Sequence, residues 1–302
     1  MQLLVQPDDG VFPLLKAIRG ARRTIDIHVF RLDYKAVEKA LEAAVGRGVV
    51  VRTLIAHTNR GGDKTLRKLE QRLLHLGATV SRTADDLVRY HGKMAIFDEK
   101  VLHVYGFNFT RLDVDKSRSF GIITKNKRLV SEAQKLFMAD FDRLSYTPGC
   151  DRFVVSPENA RERLAKFLRA ARKQLLIYDP KVSDDAMLKI LTQRMKAGVD
   201  VRVIGKVQSK WNLTCDVYPG KRLHVRAIIR DGRRLFVGSQ SLRRLELEKR
   251  REVGVIVTDQ SVVREINEIF EADWAQTSCG RKQLKKIRKA AKKEEKELAA
   301  AS

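Results

Sequence analysis

Two matching stretches decide the fold: His91-Gly-Lys-Met-Ala-Ile-Phe-Asp98 and, 133 positions later, His224-Val-Arg-Ala-Ile-Ile-Arg-Asp231. Both read His-x-(Lys/Arg)-x-x-x-x-Asp, with apolar residues between the ends. Such a run predicts a β-strand, in which alternate side chains share a face, so each histidine is expected beside its cation, Lys93 or Arg226. An imidazole beside a fixed cation suits a phosphate diester. The cation holds the anionic oxygens, and the imidazole attacks phosphorus or carries protons.

The two motifs belong to a longer internal repeat. At an offset of 150 positions, residues 197–202 repeat the pattern of residues 47–52, and after the motifs the offset is 133. The difference indicates an insertion in the first half that covers much of residues 59–76. It opens with a Gly-rich turn at 59–63 and continues as a helix that shapes a site entrance or caps a sheet. A repeat this long predicts two similar α/β units, each burying its own sheet, and not a solenoid.

Strand and helix patterns alternate within each half. Residues 24–32 alternate apolar and polar side chains and predict a strand, residues 34–45 an amphipathic helix, and residues 49–56 a buried strand. This β-α-β order is typical of a parallel strand pair with a right-handed crossover. Residues 88–97 predict the strand that carries the first motif.

We expect three parts in the chain: a first lobe at 1–148, a second lobe at 149–280 and a basic tail at 281–302. From Arg281 to Lys296 the tail carries nine Lys or Arg against two Glu. That composition is typical of a solvated helix or frayed tail, and it would also suit nucleic acid or anionic lipid.

The charge balance indicates an anionic partner. The chain has 61 Lys and Arg against 37 Asp and Glu, a formal net charge of +24, and the body stays basic without its tail. Nucleic acid, an anionic membrane surface or a phosphate-bearing substrate would fit this surplus. The alternative is a generally basic surface with no dedicated partner.

Cysteine usage and hydropathy favour a reduced cytoplasmic protein. The three cysteines, Cys150, Cys215 and Cys279, are odd in number and have no metal-ligand spacing. The N-terminus has no signal-peptide pattern, and no apolar run approaches the roughly 20 residues that cross a bilayer. Any membrane contact is therefore expected to be peripheral, at the inner face.

Small polar residues follow each motif. Asn108 follows the first, and Ser239 and Ser241 follow the second. Asn and Ser side chains donate hydrogen bonds to phosphate oxygens, and small residues let a phosphate approach the backbone. Further along, Glu252 has no carboxylate counterpart in the first half, where Ser119 occupies the equivalent place.

Two motif copies, each followed by small polar residues inside a repeat, resemble the phospholipase D superfamily, the HKD phosphodiesterases. The resemblance runs from Gln6 to about Gln276. It implies an α/β fold of two similar lobes with pseudo-two-fold symmetry, built from mixed sheets flanked by helices. It also implies one active site at the lobe interface, with the two histidines facing each other and no metal or other cofactor.

The resemblance implies a phosphohistidine intermediate as well. One histidine attacks phosphorus, and the other protonates the leaving oxygen and then activates water or an alcohol. We assign His91 as nucleophile and His224 as general acid/base, although the reverse assignment stays open. Glu252 would orient a histidine. The remaining roles are phosphate binding by cations (Lys93, Arg226) and by hydrogen bonds (Asn108, Ser239, Ser241).

The other polar residues of interest receive structural interpretations. Asp98 and Asp231 are expected to pin the strand ends and the lobe interface. Of the four remaining histidines, two are expected to be packed in strands (His28, His103), one follows a strand end near the site (His57), and one lies on the inserted helix (His75). No histidine has metal-ligand spacing to Cys, Asp or Glu.

The sequence departs from the family pattern in both halves. Arg226 replaces a lysine, and a planar fork is not equivalent to a point charge. Gly106 stands where serine is common, Ser241 where asparagine is common, and Ser119 where a second glutamate is expected. A catalytically degenerate, anion-binding relative is therefore one alternative.

Two enzyme functions are the alternatives to a degenerate, anion-binding relative. A phospholipase D or cardiolipin synthase-like enzyme, acting on phospholipids, is favoured by the single chain with two motifs and by a basic surface that suits anionic lipid. A nuclease is favoured by the positive charge, but only 7% of the residues are aromatic and no stacking surface is evident.

Overall fold

The computed structural model of the chain describes residues 1–58 and 62–300, so residues 59–61 of the predicted Gly-rich turn lie outside the described residues. The elements of the first half are β1 (Gln2–Gln6), α1 (Phe12–Gly20), β2 (Thr24–Val29), α2 (Lys35–Gly46), β3 (Val50–Ile55), α3 (Gly62–His75), β4 (Thr79–Arg82), β5 (Arg89–Tyr90), β6 (Met94–Phe97), β7 (Val101–Tyr105), α4 (Arg111–Lys116), β8 (Ser117–Thr124) and α5 (Lys127–Asp142).

The second half repeats this order without the inserted helix α3. Its elements are β9 (Phe153–Ser156), α6 (Ala160–Arg169), β10 (Gln174–Val182), α7 (Asp185–Lys196), β11 (Asp200–Val207), a short 3-10 helix (Ser209–Trp211), β12 (Thr214–Asp216), β13 (Arg222–Leu223), β14 (Ala227–Arg230), β15 (Arg234–Gly238), α8 (Arg244–Glu248), β16 (Arg250–Val257), α9 (Gln260–Ala275) and α10 (Ser278–Ala300).

The described strands form two mixed eight-stranded sheets. The first sheet has the order β1-β8-β7-β6-β2-β3-β4, with β13 paired to β8, and the second has the order β12-β11-β10-β14-β15-β16-β5, with β9 paired to β16. In both sheets the strands of the β-α-β units, β2–β3 and β10–β11, pair in parallel. The predicted fold of two similar α/β lobes with mixed sheets is confirmed.

The lobes exchange one short strand each. Strand β5, from the first half, pairs in parallel with Arg250 and Arg251 of the second, and β13 pairs in the same way with Ser117 and Arg118 of the first. The single strand predicted over residues 88–97 is therefore wrong. It is broken after Tyr90 because the chain leaves the other lobe's sheet there and enters its own at β6.

The core also joins the lobes. The largest cluster of buried apolar side chains draws on β8 of the first sheet and on β16 of the second, together with helices α5 and α9. Two further clusters lie under α1, α2 and α3 and under α6 and α7. The expectation that each half buries its own sheet is therefore only partly right, because burial of apolar area across the interface also stabilises both lobes.

Asp98 and Asp231 end their motifs in equivalent turns. Asp98, at φ 51°, accepts hydrogen bonds from the backbone amides of residues 22–24, and Asp231, at φ 56°, from those of residues 172–174. Burial raises the pKa of each carboxyl, but these backbone hydrogen bonds outweigh it and lower the net pKa. Each aspartate thus fastens the hairpin turn to the start of a strand in its own lobe. Their expected contact with the lobe interface is wrong.

The C-terminal basic segment is helical. Helix α10 begins at Ser278, three residues before the predicted tail, and it is joined to α9 by a hydrogen bond of 3.0 Å from Trp274 Nε1 to Gln283 Oε1. No helix among the described residues is long and apolar enough to cross a membrane.

Candidate active site

The strand exchange anchors each motif histidine to the opposite lobe. The backbone N–H of His91 donates to the carbonyl of Arg251 at 2.7 Å, and that of His224 donates to the carbonyl of Arg118 at 3.1 Å. Strands β8 and β16 therefore bring the two motifs to the lobe interface. The strand pairing sets the register of each histidine backbone, and contacts to the rings set their orientation.

Glu252 of β16 holds the ring of His91. Nδ1 of His91 lies 3.0 and 2.9 Å from the two carboxylate oxygens, and the glutamate is fully buried. Burial raises the pKa of Glu252, while Lys93, Ser239 and Arg226 lower it. The contact fixes the ring orientation and leaves Nε2 as the nitrogen available to a substrate.

His224 also has a carboxylate neighbour, and sequence reasoning missed it. Its Nδ1 lies 3.0 Å from Oδ2 of Asp113, which is buried on helix α4. The sequence pattern does not predict this short helix, and the residue that aligns with Glu252 is Ser119. A signal was present nevertheless, since the residue that matches Asp113 at an offset of 133 is also acidic, Glu246.

The two motif cations occupy different environments. Lys93 is almost fully buried and donates from Nζ to the carbonyl of His91. Arg226 is partly buried, and its Nε donates to Ser241 Oγ at 3.1 Å, while its buried Nη1 has no hydrogen-bond partner among the described residues. An unpaired guanidinium nitrogen in a closed site is well placed to receive an anionic oxygen.

Burial and the neighbouring cations keep both imidazoles neutral. Burial, Lys93 and Arg226 lower the pKa of His91 well below its ordinary value. Burial lowers the pKa of His224 to about 4, although Asp113 raises it. A neutral imidazole is the form that acts as a nucleophile. An anionic phosphate between the two rings would raise both pKa values and so supply the protonated form that a general acid needs.

The predicted phosphate-binding polar residues make internal hydrogen bonds. Asn108 Nδ2 donates to Asp113 at 2.6 Å, Ser241 Oγ accepts from Arg226, and Ser239 Oγ accepts from the amide of Val253 at 3.1 Å. These contacts place all three beside the motif and carboxylate side chains, where each supports the position of a neighbouring group. Asn108 Oδ1 is buried and has no partner among the described residues.

The inserted helix α3 forms one wall of a cavity beside His91. Phe30 lies edge-on to the His91 ring, with centroids 4.6 Å apart, and also lines a cavity of about 360 Å³. Leu69 of α3 and Thr110 line the same cavity, while Leu73 of α3 packs in the core beneath. The insertion thus packs against the core of the first lobe and also lines a cavity on the far side of Phe30 from the motif. Whether it shapes the entrance to the site stays a prediction.

The remaining histidines lie outside this arrangement. His28 is fully buried, and neither ring nitrogen has a hydrogen-bond partner among the described residues. His103 is buried with Nδ1 2.7 Å from Tyr105 Oη, whereas His57 and His75 are exposed. Within the described residues, no group of three or more His, Cys, Asp or Glu side chains is placed to hold a metal ion.

Comparison of the chain with models of known protein families identifies the family to which it belongs. Residues 14–141 and 205–274, more than half of the chain, match the family model described as "Cardiolipin synthase, PLD-like domain". The chain belongs to this family. The resemblance to the phospholipase D superfamily is therefore confirmed, and both motif histidines lie within the matched residues. A search of the curated proteins found no significant match.

Two solved structures of low sequence identity share the fold of this PLD-like protein. Polyphosphate kinase from Porphyromonas gingivalis has a TM-score of 0.75 at 19% identity, over 90% of this chain, which spans only 50% of the kinase. Phosphatidylserine synthase from Haemophilus influenzae Rd KW20 has a TM-score of 0.69 at 10% identity, over 96% of this chain and 93% of that one. Nuc, a phospholipase D family member from Salmonella typhimurium, matches 49% of this chain at a TM-score of 0.43 and 21% identity.

Proposed function

We propose that this chain is a metal-independent phosphodiesterase or phosphatidyltransferase that acts on phospholipids through a phosphohistidine. The observation that carries the proposal is the pair of interfacial imidazoles, each with a buried carboxylate at Nδ1 and a motif cation nearby. The carboxylates orient the rings and stabilise the imidazolium that forms, as in other histidine-dependent transfers. The cations stabilise charge on the phosphoryl oxygens.

The reaction proceeds in two steps. Nε2 of His91 attacks phosphorus, the bond from phosphorus to the leaving oxygen breaks, and that oxygen takes a proton from His224. Water or an alcohol then gives a proton back to His224 and attacks the phosphohistidine, which breaks the P–N bond and frees His91. Hydrolysis and transfer differ only in whether water or an alcohol is the acceptor.

Phospholipid is the substrate that the observations favour. The family model that matches the chain is described as cardiolipin synthase. Near the motifs, Val88 directly precedes β5 and Leu112 directly precedes Asp113 on α4, and both are more than half exposed. Exposed apolar side chains on a strongly basic protein suit peripheral contact with an anionic membrane better than contact with nucleic acid.

A turnover assay in EDTA tests the proposal. The protein is incubated with anionic phospholipid vesicles and, separately, with single- and double-stranded DNA, alongside a His91→Ala variant. Lipid turnover that is lost in the variant supports the proposal. Cleavage of DNA without lipid turnover would replace it with a nuclease function, and binding without turnover of either substrate would overturn both.

The burial of Lys93 predicts that anion affinity depends on pH. Burial lowers the pKa of Lys93 to about 7, so the cation is lost as pH rises through 7. Sulfate keeps its charge in this range, and its affinity should weaken above pH 7 by up to about tenfold per pH unit, because one proton is linked to binding. That slope is the contribution of Lys93 alone. Bound sulfate would also raise the pKa of both histidines, and any proton that they then take up adds to it.

Isothermal titration calorimetry with sulfate between about pH 5.5 and 8.5 measures this dependence. A Lys93→Met variant is the matched control. It should bind sulfate weakly, and its affinity should fall less steeply above pH 7 than that of the wild type. A wild-type affinity that does not change across this range would show that Lys93 is not the titrating cation.

A further inference from the structure

The repeat leaves His224 without the carboxylate that the symmetry would supply. Glu252 holds His91 from β16, and its counterpart on β8 is Ser119. Ser119 does not substitute for a carboxylate, because its Oγ donates to the backbone carbonyl of His224 at 2.6 Å and not to the ring. The ring instead lies against Asp113, six residues earlier in the chain and on a different element.

We propose that Asp113 is the positioning residue of His224, in the role that Glu252 has for His91. The proposal rests on the proposed function and extends it by one residue that lies outside both His-x-(Lys/Arg) motifs. A carboxylate at Nδ1 keeps the proton of the neutral ring on that nitrogen, which leaves Nε2 of His224 to exchange protons with the substrate.

Asp113 is held rigidly enough for this role. Its Oδ2 accepts from the backbone N–H of Asn108 at 3.0 Å and from Asn108 Nδ2 at 2.6 Å, and its Oδ1 accepts from Arg222 Nη1 at 2.5 Å. Thr110 caps the first turn of α4 by accepting from the Asp113 amide at 3.3 Å. Three hydrogen bonds thus fix the carboxylate and a fourth fixes its backbone, and the side chain is almost entirely buried.

Glu246, the matching residue of the second lobe, does not contact a histidine ring. Glu246 accepts from the backbone N–H of Ser241 at 2.7 Å, as Asp113 does from Asn108, but its other carboxylate oxygen lies 3.2 Å from Arg243 and 3.3 Å from Arg250. It affects His91 only by raising the pKa of that ring through its charge. Asp113 and Glu246 therefore accept the same backbone hydrogen bond, each in its own lobe. Of the two carboxylates, only that of Asp113 also contacts a histidine ring.

The charge of Asp113 affects the pKa of the His224 ring. Burial raises the pKa of the Asp113 carboxyl, but His224, Asn108 and Arg222 outweigh it and hold the pKa well below its ordinary value, so the group is ionised. Burial lowers the pKa of His224, Arg226 and Lys93 lower it further, and Asp113 opposes them. Loss of the Asp113 charge must therefore lower the pKa of His224.

The test is an Asp113→Asn variant of the full chain. We expect kcat/KM on the substrate found in the EDTA assay to fall about 100-fold, within the usual range for acid–base groups. The alkaline limb of the kcat profile, which reports the substrate-bound protein, should move to lower pH, because His224 holds its proton less tightly. The double variant Asp113→Asn/Ser119→Glu should recover at least part of both losses, since it restores the carboxylate at the position that matches Glu252.

Asp115→Asn is the matched control on the same helix, because Asp115 is exposed and 3.2 Å from Tyr34 Oη. It should leave kcat/KM and the pH profile unchanged. A folded Asp113→Asn variant with the wild-type profile would overturn the proposal. So would a double variant that recovers neither the lost kcat/KM nor the position of the alkaline limb.

A measurement on the wild-type protein covers the case in which Asp113→Asn does not fold. Long-range 1H–15N NMR of the histidine rings, assigned with a His224→Asn variant, should show the His224 proton on Nδ1 at pH 7. A proton on Nε2 would overturn the role of Asp113. This readout needs no turnover, so it separates failure of this proposal from failure of the proposed function.

Discussion

Replacing His91 with asparagine should abolish turnover, with a loss of about 10⁴-fold or more in kcat, because in the proposed mechanism His91 forms the covalent bond to phosphorus. Asparagine keeps a polar side chain in place of the ring and leaves the backbone contact with Arg251 unchanged. With substrate labelled at phosphorus, acid-quenched His91→Asn protein should carry no label. Turnover rates and bound label together check the expectation.

The partner variant, His224→Asn, should behave differently. In the proposed mechanism it lacks the group that activates water, so the phosphohistidine on His91 should accumulate and the protein should be labelled. His103→Asn is the control, because His103 is buried but outside the site. Label on His91→Asn but not on His224→Asn would reverse the two assignments. Absence of label on wild type and both variants, despite turnover, would contradict the covalent intermediate.

Replacing Arg251 with methionine should lower the free energy of unfolding by about 3–5 kcal/mol, the usual cost of removing one partner from a buried ion pair. The Arg251 guanidinium lies 3.0 Å from Asp140 of the other lobe, contacts Glu158, and donates to the carbonyl of Ser156 at 3.2 Å. Burial raises the pKa of Asp140 to about 7 even with Arg251 beside it. Without the arginine, the buried Asp140 carboxylate loses the positive charge that offsets its cost of burial.

Urea unfolding at constant pH measures this loss from the midpoint and slope. Arg244→Met is the matched control, because Arg244 forms an exposed i,i+4 pair with Glu248 at 3.0 Å and should change stability by less than about 0.5 kcal/mol. An Arg251→Met effect below about 1 kcal/mol would show that the pair does not hold the lobes together. The symmetric pair of Arg118 with Asp273, also 3.0 Å, should respond like Arg251.

Much of the architecture could be predicted from local pattern. The β-α-β periodicity and the repeat offsets of 150 and 133 indicated two similar lobes. The strands and helices of each lobe follow from side-chain alternation and short-range turn chemistry. The motif aspartates were predicted to pin strand ends, which agrees with their turns at positive φ. These features depend on residues close together in the chain, so the sequence carries them directly.

The partners of the histidines could not be predicted in the same way. Glu252 was expected to orient a histidine, but its choice of His91 depends on contacts between residues 161 positions apart. Asp113 was missed because α4 is short, its sequence has no distinctive periodicity, and its contact with His224 forms only when the lobes meet.

The sequence by itself determined that this chain has two phospholipase D-like motifs in two repeated α/β units, since strand and helix periodicity are local properties. Only the tertiary structure decided that β5 and β13 cross to the opposite sheets and that each lobe supplies the carboxylate for the other lobe's histidine. Strand pairing between distant segments follows from shape and burial across the whole interface, and local propensity does not specify it.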